Sequence, residues 1–172
     1  MSLLSNLTAW WRFDGDLLDA SGNGKDWTQG AAASYVTGLI NQAARWSGSN
    51  AFRAALVTAG PMAVSLWVRP RAAVVAVGVF AQEKGNAPSV TRQLITVNAT
   101  TSVFTANFNN GVDVPASYTH GAAIAELWWH VVGTNDGTDA RLYVNGVLRD
   151  TVASVPDYTS VTASDLGFNP NV

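Results

Sequence analysis

The sequence has 172 residues, the length of one average domain, since a typical domain takes roughly 100 to 200 residues. Hydrophobic residues make up 48% of the chain and charged residues 13%, about half of the roughly 25% in an average soluble domain. A net charge of -2 supplies no basic field, which argues against binding to nucleic acid. The absence of cysteine excludes disulfides and thiolate metal sites.

Neither a secretory signal nor a membrane-spanning segment is predicted. Residues Met1–Trp10 contain no cationic stretch followed by a long apolar one. The most apolar windows, Met62–Val68 and Val74–Ala81, fall far short of the roughly 20 residues that cross a bilayer. Because no linker divides the chain, we expect one domain over residues 1–172, without membrane insertion.

Apolar and polar residues alternate with period two along much of the chain, whereas no long stretch has the spacing of an amphipathic helix. Strands are predicted, in chain order, at Leu7–Phe13, Ala43–Trp46, Ala51–Val57, Met62–Val68, Val77–Ala81, Arg92–Asn98, Ser102–Phe108, Trp128–Thr134, Ala140–Val144 and Val147–Val152. Turns rich in Gly and Asn separate them. Many short strands between such turns favour an all-β, antiparallel sandwich or barrel over a parallel α/β fold.

Two of these segments carry a more specific expectation. In Met62–Val68 every second residue is apolar, which places Trp67 on the opposite, exposed side together with the following Arg69. Between the last two strands, Asn145-Gly146 is typical of a type I′ turn, which needs positive φ at both residues. We expect a tight hairpin at this position.

An acidic cluster near the N-terminus has two interpretations. Its candidate metal ligands are Asp14, Asp16, Asp19, Asn23 and Asp26. Calcium takes about six to eight oxygen ligands, which carboxylates, amide carbonyls and a glycine-rich backbone can supply. The alternative is turn formation without metal, in which Asp19 and Asn23 make Asx-turn hydrogen bonds while Gly22 and Gly24 adopt positive φ. The sequence leaves both interpretations open.

Aromatic residues supply candidate ligand-binding groups, because aromatic faces stack on the apolar faces of sugar rings. The candidate ligand-binding residues are Trp27, Trp67, Arg69 and Tyr143. Core packing is the competing interpretation for each of the seven tryptophans. Neighbouring residues of a strand point to opposite faces, so only one member of Trp10-Trp11, and one of Trp128-Trp129, is expected in the core.

Groups suited to hydrolytic chemistry are sparse. The two glutamates, Glu83 and Glu126, are isolated in sequence, whereas glycosidases need a pair of carboxyl groups around the scissile bond. Neither histidine lies in a nucleophile motif. His130 alternates with Trp128 and is expected to be a structural histidine that faces the core. We expect no catalytic activity.

Four blocks of sequence together resemble a known family. They are Ala9–Asp16 with Asp19–Asp26, then Ala43–Asn50, then Val64–Pro70, and finally Trp128–Gly137 running on through Arg141–Leu148. In this order they resemble laminin G-like modules of the concanavalin A-like jelly-roll superfamily. The resemblance implies an all-β, antiparallel two-sheet jelly-roll sandwich, and many such modules bind calcium.

The resemblance also implies a closing strand that this sequence lacks. Leu166–Asn169 is similar to the strand before the closing element, and three residues follow it. The backbone beside Trp10–Phe13 would then lack a partner, and an open sheet edge favours pairing with another chain. We therefore expect other protein subunits, in an oligomer or assembly, to complete this edge.

Two functions follow as expectations. The first is a non-catalytic structural or interaction protein, such as a phage capsid decoration or tail-associated component of a virion, which acts through protein contacts or surface glycans. The alternative is a carbohydrate-binding or adhesion module, calcium-assisted or not, from a larger extracellular protein. The expected location is correspondingly a virion or an extracellular surface.

Overall fold

The computed structural model describes residues 6–27, 34–45, 53–56, 61–71, 77–84, 91–108, 115–153 and 164–167. The strands in these residues are β1 (Ser34–Thr37), β2 (Gln42–Arg45), β3 (Arg53–Leu56), β4 (Met62–Val68), β5 (Val77–Lys84), β6 (Thr91–Asn98), β7 (Val103–Ala106), β8 (Ala116–Thr119), β9 (Trp129–Asn135), β10 (Asp139–Val144), β11 (Val147–Ala153) and β12 (Ser164–Gly167). None of the described residues belongs to a helix that is long and apolar enough to span a bilayer.

The strands form two large antiparallel sheets and one small one. One large sheet has the order β11-β10-β9-β4, and the other has the order β3-β12-β5-β6-β7-β8. The two sheets face each other, with β6 and β7 against β9 and with β7 and β8 against β10. Strands β1 and β2 form a separate hairpin. The predicted all-β, antiparallel two-sheet jelly-roll sandwich is confirmed.

The core lies between the large sheets and is built by the alternation of side chains along each strand. On β9, Trp129 and Val131 point inward, whereas His130 and Val132 lie on the outer side. The largest fully buried side chains are Phe104, Phe108, Ile95, Ile124, Leu142, Val97 and Val131. Each contributes about 1.5 to 3 kcal/mol through burial, which makes this contact between sheets the main stabilising interaction.

The hairpin predicted at Asn145-Gly146 forms. Val144 pairs with Val147, so that Asn145 and Gly146 are the two loop residues. Their φ angles are 51° and 77°, the pair of positive values that a type I′ turn requires. The turn thereby sets the register of Tyr143 and Val144 against β11, and an irregularity shifts this register by one residue at Leu142.

The strand predicted at Leu7–Phe13 is wrong: the described residues of this segment form no sheet. The amide of Trp10 donates to Oδ1 of Asp19 at 2.9 Å, and the carbonyl of Trp10 accepts from the amide of Ala20 at 2.7 Å. An isolated bridge joins Trp11 to Asp19. Hydrogen bonds to a local carboxylate compete with sheet pairing and win here, because they satisfy the same backbone groups.

The sheet edge expected beside Trp10–Phe13 is therefore not present in the described residues. The prediction of partner subunits stays a prediction, without this argument for it. Strand β12 overlaps the strand expected at Leu166–Asn169 and pairs with both β3 and β5. The last residues of the chain lie outside the described residues, and so does the expected lack of a closing strand.

Gly133, at an inward position of β9, lets the two sheets approach closely. A Cβ atom at this position would lie 2.8 Å from Cδ1 of Ile95, 3.0 Å from Cβ of Ala106 and 3.2 Å from Cζ of Phe108. Real Cβ atoms essentially never show the shortest of these distances. The opposite sheet therefore occupies the space that a side chain would need.

Gly133→Ala is expected to lower the free energy of unfolding by about 1 to 3 kcal/mol, the usual cost of overpacking a core. Gly121→Ala is the matched control, because nothing lies within 4 Å of a Cβ at that position. Urea denaturation of both variants measures the difference. Equal stability of the two variants would show that the sheets can separate without cost.

Candidate functional site

The outward surface of β4, β9 and β10 brings together two of the predicted ligand-binding residues. We call it the Trp67 face and define it by Ser65, Trp67, His130, Val132 and Tyr143. The strand pairing sets Ser65 opposite Val132, Trp67 opposite His130, and Tyr143 opposite Val132. Three adjacent strands therefore present these side chains on one surface.

Trp67 stacks on His130, its cross-strand neighbour on β9. Its side chain is 54% exposed, as the alternation of β4 predicts. The rings of Trp67 and His130 stack with 4.9 Å between centroids and 27° between planes. Oγ of Ser65 lies 2.9 Å from Nε2 of His130, within hydrogen-bonding distance. One face of the indole is thus covered by a ring that is itself anchored.

The hairpin turn fixes the backbone of His130. Oδ1 of Asn145 accepts the amide hydrogen of His130 at 2.9 Å, and the amide of Asn145 donates to the carbonyl of His130 at 2.8 Å. These two bonds extend the pairing between β9 and β10 by one position. The turn residue therefore also supports the aromatic stack.

Arg69 follows Trp67 by two positions and forms an ion pair with Glu126. Nη2 of Arg69 lies 3.1 Å from Oε2 of Glu126, and Nε donates to the carbonyl of Glu126 at 3.1 Å. The amide of Glu126 in turn donates to the carbonyl of Pro70 at 2.6 Å. The two side chains are 46% and 48% exposed, so the ion pair is accessible to solvent.

Tyr143 lies at an outward position of β10, and a second group of charges lies farther along the same strand. Arg141 forms ion pairs with both Asp136 and Asp139. The amide of Asp139, and next the guanidinium of Arg141, hold the pKa of Asp136 well below its usual range. Asp136 is therefore ionised at neutral pH and is paired with Arg141.

The structure places Trp27 in a separate hydrophobic cluster. Its side chain is only 8% exposed. The ring meets Trp11 edge-on at 5.3 Å between centroids and Phe13 at 5.5 Å, and Leu17 packs against the same cluster. Trp27 thus packs beneath the N-terminal loop and does not join Trp67.

The carboxylate of Asp19 organises the acidic loop. Oδ1 accepts the amides of Trp10 and Ser21, and Oδ2 accepts the hydroxyl of Ser21 and the amide of Lys25, all at 2.8 to 3.0 Å. Burial of the carboxylate raises its pKa, but these hydrogen bonds lower it by more, to about 2. Gly22 and Gly24 have φ angles of 87° and 66°, as the turn interpretation predicts.

The other predicted metal ligands also make hydrogen bonds to backbone groups. Asp16 accepts the amide of Leu18 at 3.2 Å, and Asp26 accepts the amide of Asp19 at 2.8 Å. Asn23 donates through Nδ2 to the carbonyls of residues 7 and 8, which is not the Asx turn expected of it. Each of these contacts closes a turn or joins the loop to the preceding segment.

Asp14 links the acidic loop to the hairpin of β1 and β2. Its Oδ2 accepts Nδ2 of Asn41 at 3.0 Å, and its Oδ1 accepts the amide of Gln42 at 3.1 Å. Asn41 has a φ angle of 52°, a left-handed conformation that asparagine tolerates. The carboxylate therefore fixes the tip of the hairpin.

The hydrogen bonds of Asp19 compete with the binding of a calcium ion. A carboxylate offers about four lone-pair positions, and Asp19 already accepts four hydrogen bonds. Among the described residues, no group of three or more His, Cys, Asp or Glu side chains is placed to hold a metal. Calcium binding by this loop stays a prediction, and it requires these bonds to rearrange.

The positions of two residues near Trp67, which are His130 and Glu126, were not predicted from the sequence. His130 was expected to face the core, but Trp129 is the buried member of its pair, so His130 lies outward beneath Trp67. Glu126 was considered only as a catalytic candidate, and it partners Arg69. The sequence signal for the outward position of His130 was the pair Trp128-Trp129: once Trp129 is the buried member, alternation places His130 on the outer side.

Comparison with known proteins places the chain in a fold family. The model of the concanavalin A-like lectin/glucanase superfamily matches residues 44–169. Among curated proteins, no sequence matches significantly.

Solved structures with the same fold include sugar-binding domains. Domain 4 of AbnA, an extracellular arabinanase from Geobacillus stearothermophilus solved in complex with arabinotriose, has a TM-score of 0.71 and 22% identity over 93% of this chain and 82% of that one. The carbohydrate-binding module CBM66 from Bacillus subtilis has a TM-score of 0.54 and 13% identity, with 83% and 86% covered. The binding domain of botulinum neurotoxin DC in complex with SialylT has a TM-score of 0.58 and 14% identity, with 88% and 40% covered.

Asp19→Asn is expected to lower the free energy of unfolding at pH 7 by about 1 to 2 kcal/mol, because an amide nitrogen would face hydrogen-bond donors. The pKa of Asp19 in the folded protein, about 2, lies below its ordinary value of 3.8, so this contribution is full above about pH 4 and is lost as the pH falls toward 2. Urea denaturation against pH measures it. Asp16→Asn is the control, because Asp16 accepts a hydrogen bond from the amide of Leu18 at the longer distance of 3.2 Å; an equal loss in both variants would contradict the central role of Asp19.

Proposed function

Because the chain belongs to the concanavalin A-like lectin/glucanase superfamily, we propose that it is a non-catalytic carbohydrate-binding module that binds sugar rings at the Trp67 face. The observation that carries this proposal is an indole that is 54% exposed and yet fixed by stacking on His130. An aromatic ring that is already ordered loses little conformational freedom when a ligand stacks on it. The structural similarity to sugar-binding domains favours this function over the virion component that the sequence placed first.

Polar groups around the indole suit a carbohydrate as well. The exposed ion pair of Arg69 and Glu126, which begins two positions beyond Trp67, offers both donors and acceptors. Sugars combine apolar ring faces with hydroxyl groups, so they match an aromatic surface bordered by hydrogen-bonding groups.

The charges near this face support binding without catalysis. Glycoside hydrolysis needs one carboxyl group with a raised pKa as an acid and a second carboxylate as nucleophile or base. The pKa of Asp136 is lowered instead, and both Asp136 and Asp139 are paired with Arg141. Glu126 is paired with Arg69.

An extracellular location is part of the proposal. The arabinanase whose domain 4 shares this fold is an extracellular enzyme. A module that binds polysaccharide would act where such polymers occur, either alone or within a larger protein.

A second candidate function is a structural contact in an assembly such as a virion. At the tip between β1 and β2, Leu39 is 49% exposed and Ile40 is 78% exposed. Asp14 fixes this tip through Asn41 and Gln42, so the two apolar side chains are presented on a rigid support. An exposed apolar surface of this kind is suited to burial against a protein partner.

Trp67→Ala is expected to weaken binding of the best ligand from a glycan array by about tenfold or more, since aromatic stacking and apolar burial together are worth above 1.4 kcal/mol. Isothermal titration calorimetry measures the loss. Trp10→Ala is the matched control, because Trp10 is 43% exposed but lies in the N-terminal segment. Equal losses in both variants, or none in Trp67→Ala, would contradict the proposed site.

If the chain self-assembles through the hairpin tip, Leu39→Ser with Ile40→Ser is expected to abolish any oligomer seen by light scattering on a size-exclusion column. The control is Val147→Ser with Leu148→Ser, on another hairpin, where each side chain is 50% exposed. A monomer at all concentrations for the unaltered chain would argue against self-assembly through this tip.

A further inference from the structure

The geometry and charges of the Trp67 face point to a neutral sugar as its ligand, and we infer that the ring binds on the side of Trp67 that faces away from β9. This inference rests on the proposed function and specifies the substrate class and the position of the sugar.

The position of the sugar follows from the stacking of Trp67 on His130 across β4 and β9. Side chains stand roughly perpendicular to a sheet, so paired residues on neighbouring strands meet ring against ring. His130 lies opposite Trp67 in the register and covers the side of the indole that faces β9. The second side points past β4, which is the outermost of the described strands in this sheet. A sugar that stacks on Trp67 must therefore lie beside β4 and not over the centre of the sheet.

The positive charge nearest to this position in the sequence, Arg69, is paired with the carboxylate of Glu126. Arg69 lies two residues beyond Trp67, about 6.6 Å along extended chain. Its guanidinium contacts both a side-chain oxygen and the main-chain carbonyl of Glu126, so an incoming carboxylate would meet the negative charge of Glu126 as well. Hydroxyl groups do not suffer this repulsion, because they can donate to a carboxylate and accept from a guanidinium.

Arg141, on the outer side of β10, is also paired with carboxylates. Arg141 is paired with Asp136 and Asp139, and its pKa is raised by the first of these. Arg69 and Arg141 are together accompanied by three carboxylates, so these two groups of charges offer no net positive charge to attract an acidic sugar.

Glu126 accordingly sets the specificity for charge. Its removal would expose the charge of Arg69 beside the stacked ring, while Trp67, His130 and Ser65 would be unchanged. Exposed ion pairs contribute about 0.2 to 1 kcal/mol, so the gain for an anionic ligand is expected to reach about fivefold at low salt.

The experiment uses the intact chain on a glycan array of matched pairs, in which each neutral oligosaccharide stands beside its sialylated or uronic-acid-bearing form. The unaltered chain is expected to favour the neutral member of each pair that binds. Glu126→Gln is expected to raise the ratio of acidic to neutral binding by up to about fivefold. Asp139→Asn is the matched control, since it makes the same change in net charge beside Arg141 and is expected to leave the ratio unchanged.

The outcomes separate this inference from the proposed function. If the unaltered chain prefers acidic glycans and Trp67→Ala abolishes that binding, the neutral class is overturned while the binding function stands. If Glu126→Gln and Asp139→Asn shift the ratio equally, net charge and not Arg69 governs it, and the inferred position beside β4 is overturned. If no glycan of either kind binds, the proposed function fails and the inference fails with it.

Discussion

Strand β9 is the constraint on which both the core and the candidate site depend. It lies between β4 and β10 and is hydrogen-bonded to both, so its register sets the positions of the two neighbours. Its inward residues include Gly133, which admits side chains of the opposite sheet, and its outward residues include His130, which supports Trp67. Because a shift by one residue would exchange the two faces, packing of the core and exposure of the aromatic stack are determined together.

The Trp67 face is preorganised by contacts that do not themselves need a ligand. Asn145 holds the backbone of His130, Ser65 lies within hydrogen-bonding distance of its ring, and the ring covers one side of Trp67. A side chain held in this way can bind a sugar at a smaller entropic cost than a mobile indole would. The ion pair of Arg69 and Glu126 adds polar groups to this surface, and the positive charge of Arg69 has a carboxylate partner.

The N-terminal segment shows how local polar groups override strand propensity. Its alternating apolar residues predicted a strand, but Asp19 offers the backbone of Trp10 a nearer acceptor than another strand does. Trp11 and Trp27 still bury apolar surface, although in an edge-on cluster under a loop. The aspartates that looked like metal ligands are the acceptors that shape this loop, which sequence spacing does not distinguish from a cation site.

The sequence by itself determined the fold class, the hairpin at Asn145-Gly146 and the outward position of Trp67, because each depends on local alternation or on the φ angles that two residues accept. Only the tertiary structure decided that Trp27 is buried, that His130 stacks on Trp67 and that Glu126 pairs with Arg69. These contacts join residues far apart in the chain, and strand register and sheet packing bring them together. Patterns within one segment carry no information on which distant segment it meets.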